Sequence, residues 1–284
     1  MNTASKTPAP SVAVRRRGRP ARGNTGGGQV QSLSRALSLL EHIAGAEAGI
    51  SLSDLSTSVG LAASTTHRLL STLELHGFAT LDTVRGVWTI GIKAFTVGSA
   101  FLSNRDVIAT ARPYMRQLME QAGESVNLAM LDRDHAVFLS QIECREMMRM
   151  LVALGSRAPL HASGAGKALL AALSEHDFER VIHRAGLPRW TDNTIVSEAI
   201  LHDDVRQVRR RGYALDNEEH AVGLRCVAAT IHDQHSEAVA ALSLSGPRAR
   251  ITDDRLDILG ALVVSTADRV TRAYGGTLPP WRSG

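Results

Sequence analysis

The stretch VGLAASTTHRLLSTLELHGF, residues 59–78, combines an apolar helical stripe with an unusual polar surface. Its second residue is a glycine that permits a sharp turn, and Leu69, Leu70 and Leu73 follow at a spacing that predicts core contacts on one helix face. The beginning of the same helix carries small hydroxyl side chains, a histidine and an arginine, but no acid. Because serine, threonine and arginine contact bases and phosphates, this helix end is predicted to be a DNA-reading surface.

The flanking sequence predicts a winged helix-turn-helix around this stretch. From Gln31, apolar residues recur every three or four positions, which predicts a helix ending at Gly49, and Ser51 can cap a second short helix. After the quoted helix, FATLD (78–82) and VWTI (87–90) show a period of two and flank a glycine-containing turn, as in a β-hairpin. Three helices and a hairpin within about sixty residues are typical of this DNA-binding fold.

The second helix of such a fold lies in the major groove, and the residues at its N-terminal end meet the base edges. The residues predicted to contact DNA are Ala63, Ser64, Thr65, His67 and Arg68 on that helix, and Arg85 at the tip of the wing. Thr66 is expected to point partly inward. The alternative is a module that binds another protein, and the basic segment that precedes the helices argues against it.

Residues 1–28 form a basic segment that is predicted to be a disordered tail. They contain six lysine and arginine residues and no acid, whereas the whole chain of 284 residues has a net charge of only +4. Within the segment, RRRGRPARG (15–23) resembles an AT-hook, in which arginines such as Arg17 and Arg19 enter a narrow minor groove. Loose attraction to phosphates and a solvated tail that only aids solubility are the alternatives.

The remainder of the chain mixes helix and strand periodicities. Residues 92–122 are predicted to be mostly helical, with a break or a start at Pro113. The predicted strands are SVNLAML (125–131), AVFLSQI (136–142), MMRMLVA (147–153), LRCVAATIHD (224–233) and AVAALSLSG (238–246). The predicted helices begin after Ser163, Ser174 and Ser197, and a long terminal helix is predicted from Thr252 to Gly275. Strands in runs between helices favour an antiparallel α/β sandwich over a Rossmann fold, so the predicted fold class is α+β.

Composition narrows the classes of protein that this chain can represent. Hydrophobic residues make up 44% of the chain, but no apolar run approaches the roughly 20 residues that cross a bilayer, so we expect a cytoplasmic protein without membrane contact. Two cysteines cannot build a disulfide scaffold, and the eleven histidines show no metal-ligand spacing.

An enzyme is the rival class. The segment HASGAGKA (161–168) has His161 and Ala168 where a phosphate-binding loop requires glycine and Ser or Thr. Cys226 could pair with His220 or His161 as a nucleophile, but no recognisable activating motif lies nearby. The sequence therefore predicts neither a catalytic site nor a metal site.

Five long blocks occur in a fixed order along the chain. They are GQVQSLSRALSLLE (28–41), STTHRLLSTLELHGF (64–78), GSRAPLHASGAGKALLA (155–171), RRRGYALDNEEHAVGLRCVAA (209–229) and ALSLSGPRARIT (241–252). These blocks resemble the IclR family of bacterial transcription regulators, and the resemblance covers nearly everything from about Gln29 to Gly276.

The resemblance implies a winged helix-turn-helix at 29–91, a linker helix at 92–106, a GAF-like effector-binding domain at 107–276 and a C-terminal tail at 277–284. It further implies homodimers that pair into homotetramers on near-palindromic double-stranded DNA, no cofactor, and repression relieved by a small 2-oxo acid. Glyoxylate is the first candidate for that effector and pyruvate the second, which points to genes of the glyoxylate bypass. Other members respond to aromatic acids or purine breakdown products, and some activate transcription, so those functions are the alternative.

By motif match, the effector contacts are expected at Gly164, Ala165, Asp216, Cys226, Ser243 and Ser245, with an apolar wall that includes Met147, Met150, Ala158 and Leu224. The residues support part of this set unaided, because free N–H groups at a helix start bind carboxylates, and serines two apart on a strand share one face. Asp216 would repel an anion, unless the geminal hydroxyls of hydrated glyoxylate donate to it. Without the resemblance, close packing of a helix start is the alternative for the Gly-Ala-Gly run, and structural roles are the alternative for the serine pair and Cys226. Lys167 is expected to be solvated or to face the helix dipole rather than to bind the effector.

Overall fold

The computed structural model describes residues 30–103 and 106–282 of the chain. The predicted basic tail, with Arg17 and Arg19, lies outside the described residues. Internal contacts divide the chain into two units, the first ending at Gly98 and the second beginning at Ser99.

The first unit is the predicted winged helix-turn-helix. Its elements are α1 (Gln31–Ala44), β1 (Ile50–Ser51), α2 (Leu52–Ser58), α3 (Ala63–Leu75), β2 (Ala79–Asp82) and β3 (Val87–Ile90). The strands form an antiparallel sheet in the order β1-β3-β2. Leu39, Ile43, Leu55, Leu70 and Trp88 are buried together, so each of the three helices contributes to one small core under the wing.

The turns of this unit confirm one predicted cap and correct one helix end. Ser51 caps α2, and its hydroxyl accepts a hydrogen bond from the N–H of Asp54 at 3.2 Å. The prediction that α1 ends at Gly49 was wrong, since α1 ends at Ala44 with Gly45 as its cap. Gly49 instead has a φ of +80°, and a Cβ there would lie 2.8 Å from the side chain of Val87. This glycine is therefore required where the chain turns into β1.

Two helices follow the wing, α4 (Ile92–Ser103) and α5 (Asp106–Ala122). The prediction that Pro113 breaks or starts a helix was wrong, because Pro113 lies inside α5. Its missing N–H removes one helix hydrogen bond. Ala111, Met115 and Leu118 on the same helix are fully buried, and this packing holds the helix continuous through the proline.

The second unit is built on a six-stranded sheet. Its strands are β4 (Ser125–Asp132), β5 (His135–Ile142), β6 (Arg157–Pro159), β7 (Ala214–Asn217), β8 (Leu224–His232) and β9 (Ala238–Pro247), in the order β6-β5-β4-β9-β8-β7. Every neighbouring pair is antiparallel, which confirms the predicted α+β class against a Rossmann fold. The strand predicted at 147–153 was wrong, because Met147, Met148 and Leu151 are exposed and the edge strand is β6.

Helices cover both faces of this sheet. One face packs large aliphatic side chains, such as Leu128 and Leu242, against α5 and α9 (Leu256–Ala273). The other face carries small side chains, such as Ala129, Ala228 and Ala241, and packs against α6 (Gly164–Ala172), α7 (Glu175–Ala185) and α8 (Glu198–Arg211).

Serine hydroxyls begin two of these helices as predicted. Ser163 caps α6 and Ser174 caps α7, each by accepting a backbone N–H three residues later. Ser197 precedes α8, but its side chain makes no capping bond. The terminal helix predicted from Thr252 begins at Leu256, after a short 3₁₀ turn at Asp253–Arg255.

In the part of the chain that the structure describes, no helix has both the length and the apolar character needed to cross a bilayer.

Candidate functional site

The N-terminal end of α3 presents the predicted DNA-contacting side chains on the surface of the first unit. Ala63, Ser64, His67 and Arg68 are exposed, and Thr65 is half-buried. Thr66 is fully buried, and its hydroxyl donates to the carbonyl of Ala62 at 3.3 Å, so this threonine points inward as expected. Since the buried leucine of this helix faces the core, the opposite side is free for a ligand.

Arg85 lies in the turn between β2 and β3, as predicted for the tip of the wing. Its guanidinium donates to the carbonyl of Ala48 at 2.8 Å, while the side chain is still exposed. Asp82 accepts the N–H groups of Val84 and Arg85 at 3.0 Å each and so shapes the turn. The tip of the wing therefore carries the positive charge of Arg85, and its guanidinium already makes one hydrogen bond within the protein.

The second unit contains a cavity of about 140 Å³ beside the small-residue face of the sheet. Six residues of the predicted effector site line it, namely Met150, Ala158, Asp216, Leu224, Cys226 and Ser245. Gly164, Ala165 and Ser243 are buried near these residues but do not line the cavity. Met147 does not line it either, because its side chain is 99% exposed.

Strand pairing places a row of polar side chains along the floor of this cavity and directly behind it. Ser245 of β9 pairs with Cys226 of β8, and Cys226 pairs with Asp216 of β7. The Sγ atom of Cys226 lies 2.5 Å from the Oγ atom of Ser245. On the other side, the Nδ2 of Asn127 on β4 donates to the same Oγ at 3.1 Å. Four neighbouring strands thus each contribute one polar group.

The start of α6 lies directly against this floor. The hydroxyl of Ser163, which lines the cavity, accepts the N–H of Gly166 at 3.1 Å and donates to the carbonyl of Pro159 at 2.7 Å. A Cβ on Gly164 would lie 3.0 Å from the Cβ of Cys226. Glycine is needed here because only a bare Cα allows the helix start to approach β8 so closely.

Asp216 is the acidic group of the cavity, which Arg157 also lines. Its side chain is 1% exposed, and its Oδ1 accepts the N–H of Glu219 at 2.8 Å and that of His220 at 3.4 Å. Burial, reinforced by the negative charge of Glu219, raises the pKa of Asp216 to about 7. With a pKa near neutrality this carboxyl can take up a proton, and in that form it is able to donate a hydrogen bond.

Lys167 is not solvated, which makes the first of its two expected positions wrong. Its side chain is 1% exposed, and its Nζ lies 2.6 Å from Glu219 and 3.0 Å from Asp204. Burial raises the pKa of Glu219, although the ammonium of Lys167 opposes this shift. The ion pair fixes Glu219, and the N–H of Glu219 is one of the two that Asp216 accepts. The pair therefore stabilises the loop that begins at Asp216.

The Cys226 thiol does not have the properties of the nucleophile that the rival enzyme hypothesis requires. Burial, together with the charge of Asp216, raises the pKa of the Cys226 thiol to about 12, so the reactive thiolate is scarce at neutral pH. Among residues 30–103 and 106–282, no group of three His, Cys, Asp or Glu side chains is arranged to hold a metal ion.

Sequence reasoning did not assign eight of the residues that line the cavity, nor two amides behind it. Ser163 and His220 line the cavity, and Asn127 and Gln141 lie in the polar row behind it. Asn127 could have been noticed, because a polar amide stands in the otherwise apolar strand SVNLAML. His220 gave no comparable signal, since its position depends on the loop that follows β7.

Two family descriptions match this chain. "Bacterial transcriptional regulator IclR C-terminal" matches residues 99–272, and "IclR helix-turn-helix domain" matches residues 32–83. Among solved structures with this fold, the crystal structure of the Thermotoga maritima IclR is 26% identical, with a TM-score of 0.74, and the match covers 87% of this chain and 100% of that one.

Characterised relatives are similar over most of their length. The acetate operon repressor of Salmonella typhimurium is 52% identical over 252 residues, which are 88% of this chain and 92% of that protein. The repressor AllR of Escherichia coli K12 is 44% identical over 263 residues, which are 92% of this chain and 97% of AllR. Both relatives are transcriptional repressors and not enzymes. The chain therefore belongs to the IclR family of bacterial transcriptional regulators.

Proposed function

We propose that this chain is a DNA-binding repressor whose affinity for its operator is lowered by a small 2-oxo acid bound in the cavity, with glyoxylate as the first candidate and pyruvate as the second. The observation that carries this proposal is the small cavity of about 140 Å³ with polar groups on its floor and apolar walls. No cofactor or metal takes part. The polar groups bind the acid, and the apolar walls exclude water from it.

The size of the cavity favours a very small effector. The cavity of about 140 Å³ is well below the roughly 300–1,000 Å³ of pockets that hold drug-sized ligands, which favours a ligand of only a few non-hydrogen atoms. Glyoxylate has this size and pyruvate is only slightly larger, whereas an aromatic acid needs a wider pocket. Ala158 lines the wall, and because alanine has the smallest side chain of the chiral residues, a shift of this side chain cannot widen the cavity much.

The donors around the cavity suit a carboxylate. Ser245 offers a hydroxyl that lines the cavity, and the hydroxyl of Ser243 is buried without a hydrogen-bond partner in the described part of the chain. The N–H groups of Gly164 and Ala165 in the first turn of α6 likewise donate to no acceptor among the described residues. A small shift of α6 or of the ligand would bring these amides into use.

Asp216 takes part as the neutral acid in this proposal. Its raised pKa allows the protonated carboxyl to donate to the carboxylate of the effector, which removes the repulsion between two anions. The alternative is that ionised Asp216 accepts hydrogen bonds from the geminal hydroxyls of hydrated glyoxylate. The two arrangements predict opposite dependence of binding on pH.

The DNA side of the proposal uses two copies of α3. In a homodimer, two such helices fit the half-sites of a near-palindromic operator, and pairing of dimers gives a homotetramer. The basic tail adds attraction to phosphates or enters the minor groove. Such a regulator acts in the cytoplasm, where the bacterial chromosome is accessible.

Similarity to the acetate operon repressor supports genes of acetate use and the glyoxylate bypass as the target. Similarity to the transcriptional repressor AllR supports a second candidate, a regulator of genes other than those of acetate use. The volume of the cavity disfavours a third possibility, a regulator that responds to aromatic acids.

Titration of a fluorescent duplex with the purified full chain tests the proposal. The duplex carries the region upstream of the acetate-use genes, and the panel contains glyoxylate, pyruvate, benzoate and allantoin. We expect glyoxylate or pyruvate to weaken binding and benzoate to have no effect. Ser245→Ala should reduce the response, whereas Ser265→Ala, which removes an exposed hydroxyl on α9, should not. A duplex affinity that no 2-oxo acid changes would overturn the assignment.

A further inference from the structure

Two amide side chains connect the cavity floor to its wall. The Nε2 of Gln141 on β5 donates to the Oδ1 of Asn127 at 2.8 Å, and the Nδ2 of Asn127 donates to the hydroxyl of Ser245 at 3.1 Å. Asn127 is 1% exposed, and neither amide lines the cavity. Gln141 also bonds to two backbone groups of the wall, the carbonyl of Met150 at 3.1 Å and the N–H of Val152 at 3.2 Å.

We propose that Asn127 is a positioning residue that fixes the hydroxyl of Ser245 as a hydrogen-bond donor toward the effector, and that Gln141 sets the orientation of Asn127. The inference rests on the proposed function of the cavity as an effector site. It adds a reason for the selectivity of that site for ligands that accept hydrogen bonds.

The direction of this chain of bonds follows from its backbone end. A backbone N–H can only donate, so the atom of Gln141 that faces Val152 must be the carbonyl oxygen. A backbone carbonyl can only accept, so the atom facing Met150 must be the amide nitrogen. Both contacts select the same orientation of the Gln141 amide. Its nitrogen therefore also faces Asn127.

The orientation of the Gln141 amide determines the donor and the acceptor of the next two hydrogen bonds. Because Gln141 donates, Asn127 must present its oxygen to Gln141 and its nitrogen to Ser245. The hydroxyl of Ser245 then accepts from Asn127, and its own proton is left for the Sγ of Cys226 or for a ligand in the cavity. A carboxylate or oxo group in the cavity accepts this proton.

The chain also joins two parts of the cavity that are distant in sequence. Met150 and Val152 belong to the wall, and Ser245 belongs to the floor. Gln141 holds the wall segment by two bonds while it orients the donor of the floor through Asn127. Loss of Gln141 therefore acts on the effector through Asn127, although Gln141 itself does not line the cavity.

A double-mutant cycle on the full chain tests this role, with glyoxylate as the probe and isothermal calorimetry as the readout. We expect Asn127→Leu to raise the Kd of glyoxylate by about tenfold, the size expected for one hydrogen bond to a charged group. In a Ser245→Ala background the same change should alter the Kd by less than about twofold, because no hydroxyl is left to orient. A structural defect of the core would instead weaken binding equally in both backgrounds.

Gln141→Leu provides a second, less buried variant, so that the test stands even if Asn127→Leu does not fold. Its expected effect is a rise in Kd of about threefold that disappears in the Ser245→Ala background. Gln207→Leu, on the exposed side of α8, is the matched control and should leave the Kd unchanged. If the wild type binds glyoxylate, but each amide variant raises the Kd by the same factor in the wild-type and Ser245→Ala backgrounds, the positioning role alone is overturned. Absence of glyoxylate binding by the wild type would overturn the proposed effector, and this role with it.

Discussion

Raising the pH through neutrality should weaken the binding of glyoxylate, because Asp216 must be protonated to donate to the ligand. The pKa of this carboxyl is about 7, raised mainly by burial and further by the charge of Glu219. The protonated form predominates below this value and is lost as the pH rises through it. Glyoxylate itself remains an anion throughout the range from pH 6 to pH 8.

The size of the effect follows from the titration of one group. At pH 6 about nine-tenths of the Asp216 side chains are protonated, and at pH 8 about one-tenth are, if the pKa is about 7. When only the protonated form binds, the Kd rises about tenfold between these two pH values, which corresponds to about 1.4 kcal/mol.

Calorimetric titration of the full chain with glyoxylate at several pH values measures this slope. Asp216→Asn keeps a donor in the same place but does not titrate, so we expect its Kd to be independent of pH. His220→Gln is the control, because this histidine also lines the cavity. Burial lowers the pKa of His220, so its ring loses its charge at a lower pH than an exposed histidine, and the variant should retain the wild-type slope.

Two results would refute the reasoning. A Kd that is constant between pH 6 and pH 8 would show that Asp216 does not exchange a proton when the effector binds. A Kd that falls as the pH rises would show that ionised Asp216 accepts hydrogen bonds, as the geminal hydroxyls of hydrated glyoxylate would require.

Three further predictions concern DNA binding and stability. Arg68→Ala should weaken binding to the operator by about tenfold and leave the glyoxylate Kd unchanged, as measured by duplex titration and calorimetry; a change in the glyoxylate Kd would contradict two separate sites. Deletion of residues 1–28 should make the slope of log K against log salt shallower, by up to about five units if all six charges contact phosphates, and an unchanged slope would exclude the tail from binding. Both ring nitrogens of His232 are buried without a partner in the described part of the chain, and burial and Arg282 lower its pKa to about 4, so the unfolded state takes up more protons as the pH falls below about 6.5. His232 should therefore lower the free energy of unfolding by about 3 kcal/mol between pH 6.5 and pH 4, as measured by urea denaturation. His232→Phe should remove this contribution, and an unaltered dependence of the free energy of unfolding on acid pH would contradict the prediction.

The sequence predicts those features that depend on local patterns. The stripe formed by Leu69, Leu70 and Leu73 identified α3, and the change of period after it identified the wing. Ser163 and Ser174 marked helix starts because a cap and the N–H it accepts lie three residues apart. Such signals need no knowledge of the rest of the chain.

Features that depend on distant partners were not predictable in this way. Lys167 is buried because Glu219, which lies 52 residues later, approaches its ammonium. The raised pKa of Asp216 likewise depends on burial by elements that lie far from it in the sequence. Residues 147–153 show the opposite case, because their apolar side chains imitate a buried strand, yet Met147 and Leu151 remain exposed.

The central claim is that occupancy of the cavity and binding to the operator are coupled, and the most direct test is the glyoxylate Kd measured with and without saturating operator duplex. Linkage requires that operator DNA weakens glyoxylate binding by the same factor by which glyoxylate weakens operator binding. We predict a common factor of about ten, which lies within the usual range of allosteric coupling. Identical glyoxylate Kd values in the presence and absence of operator would contradict the account.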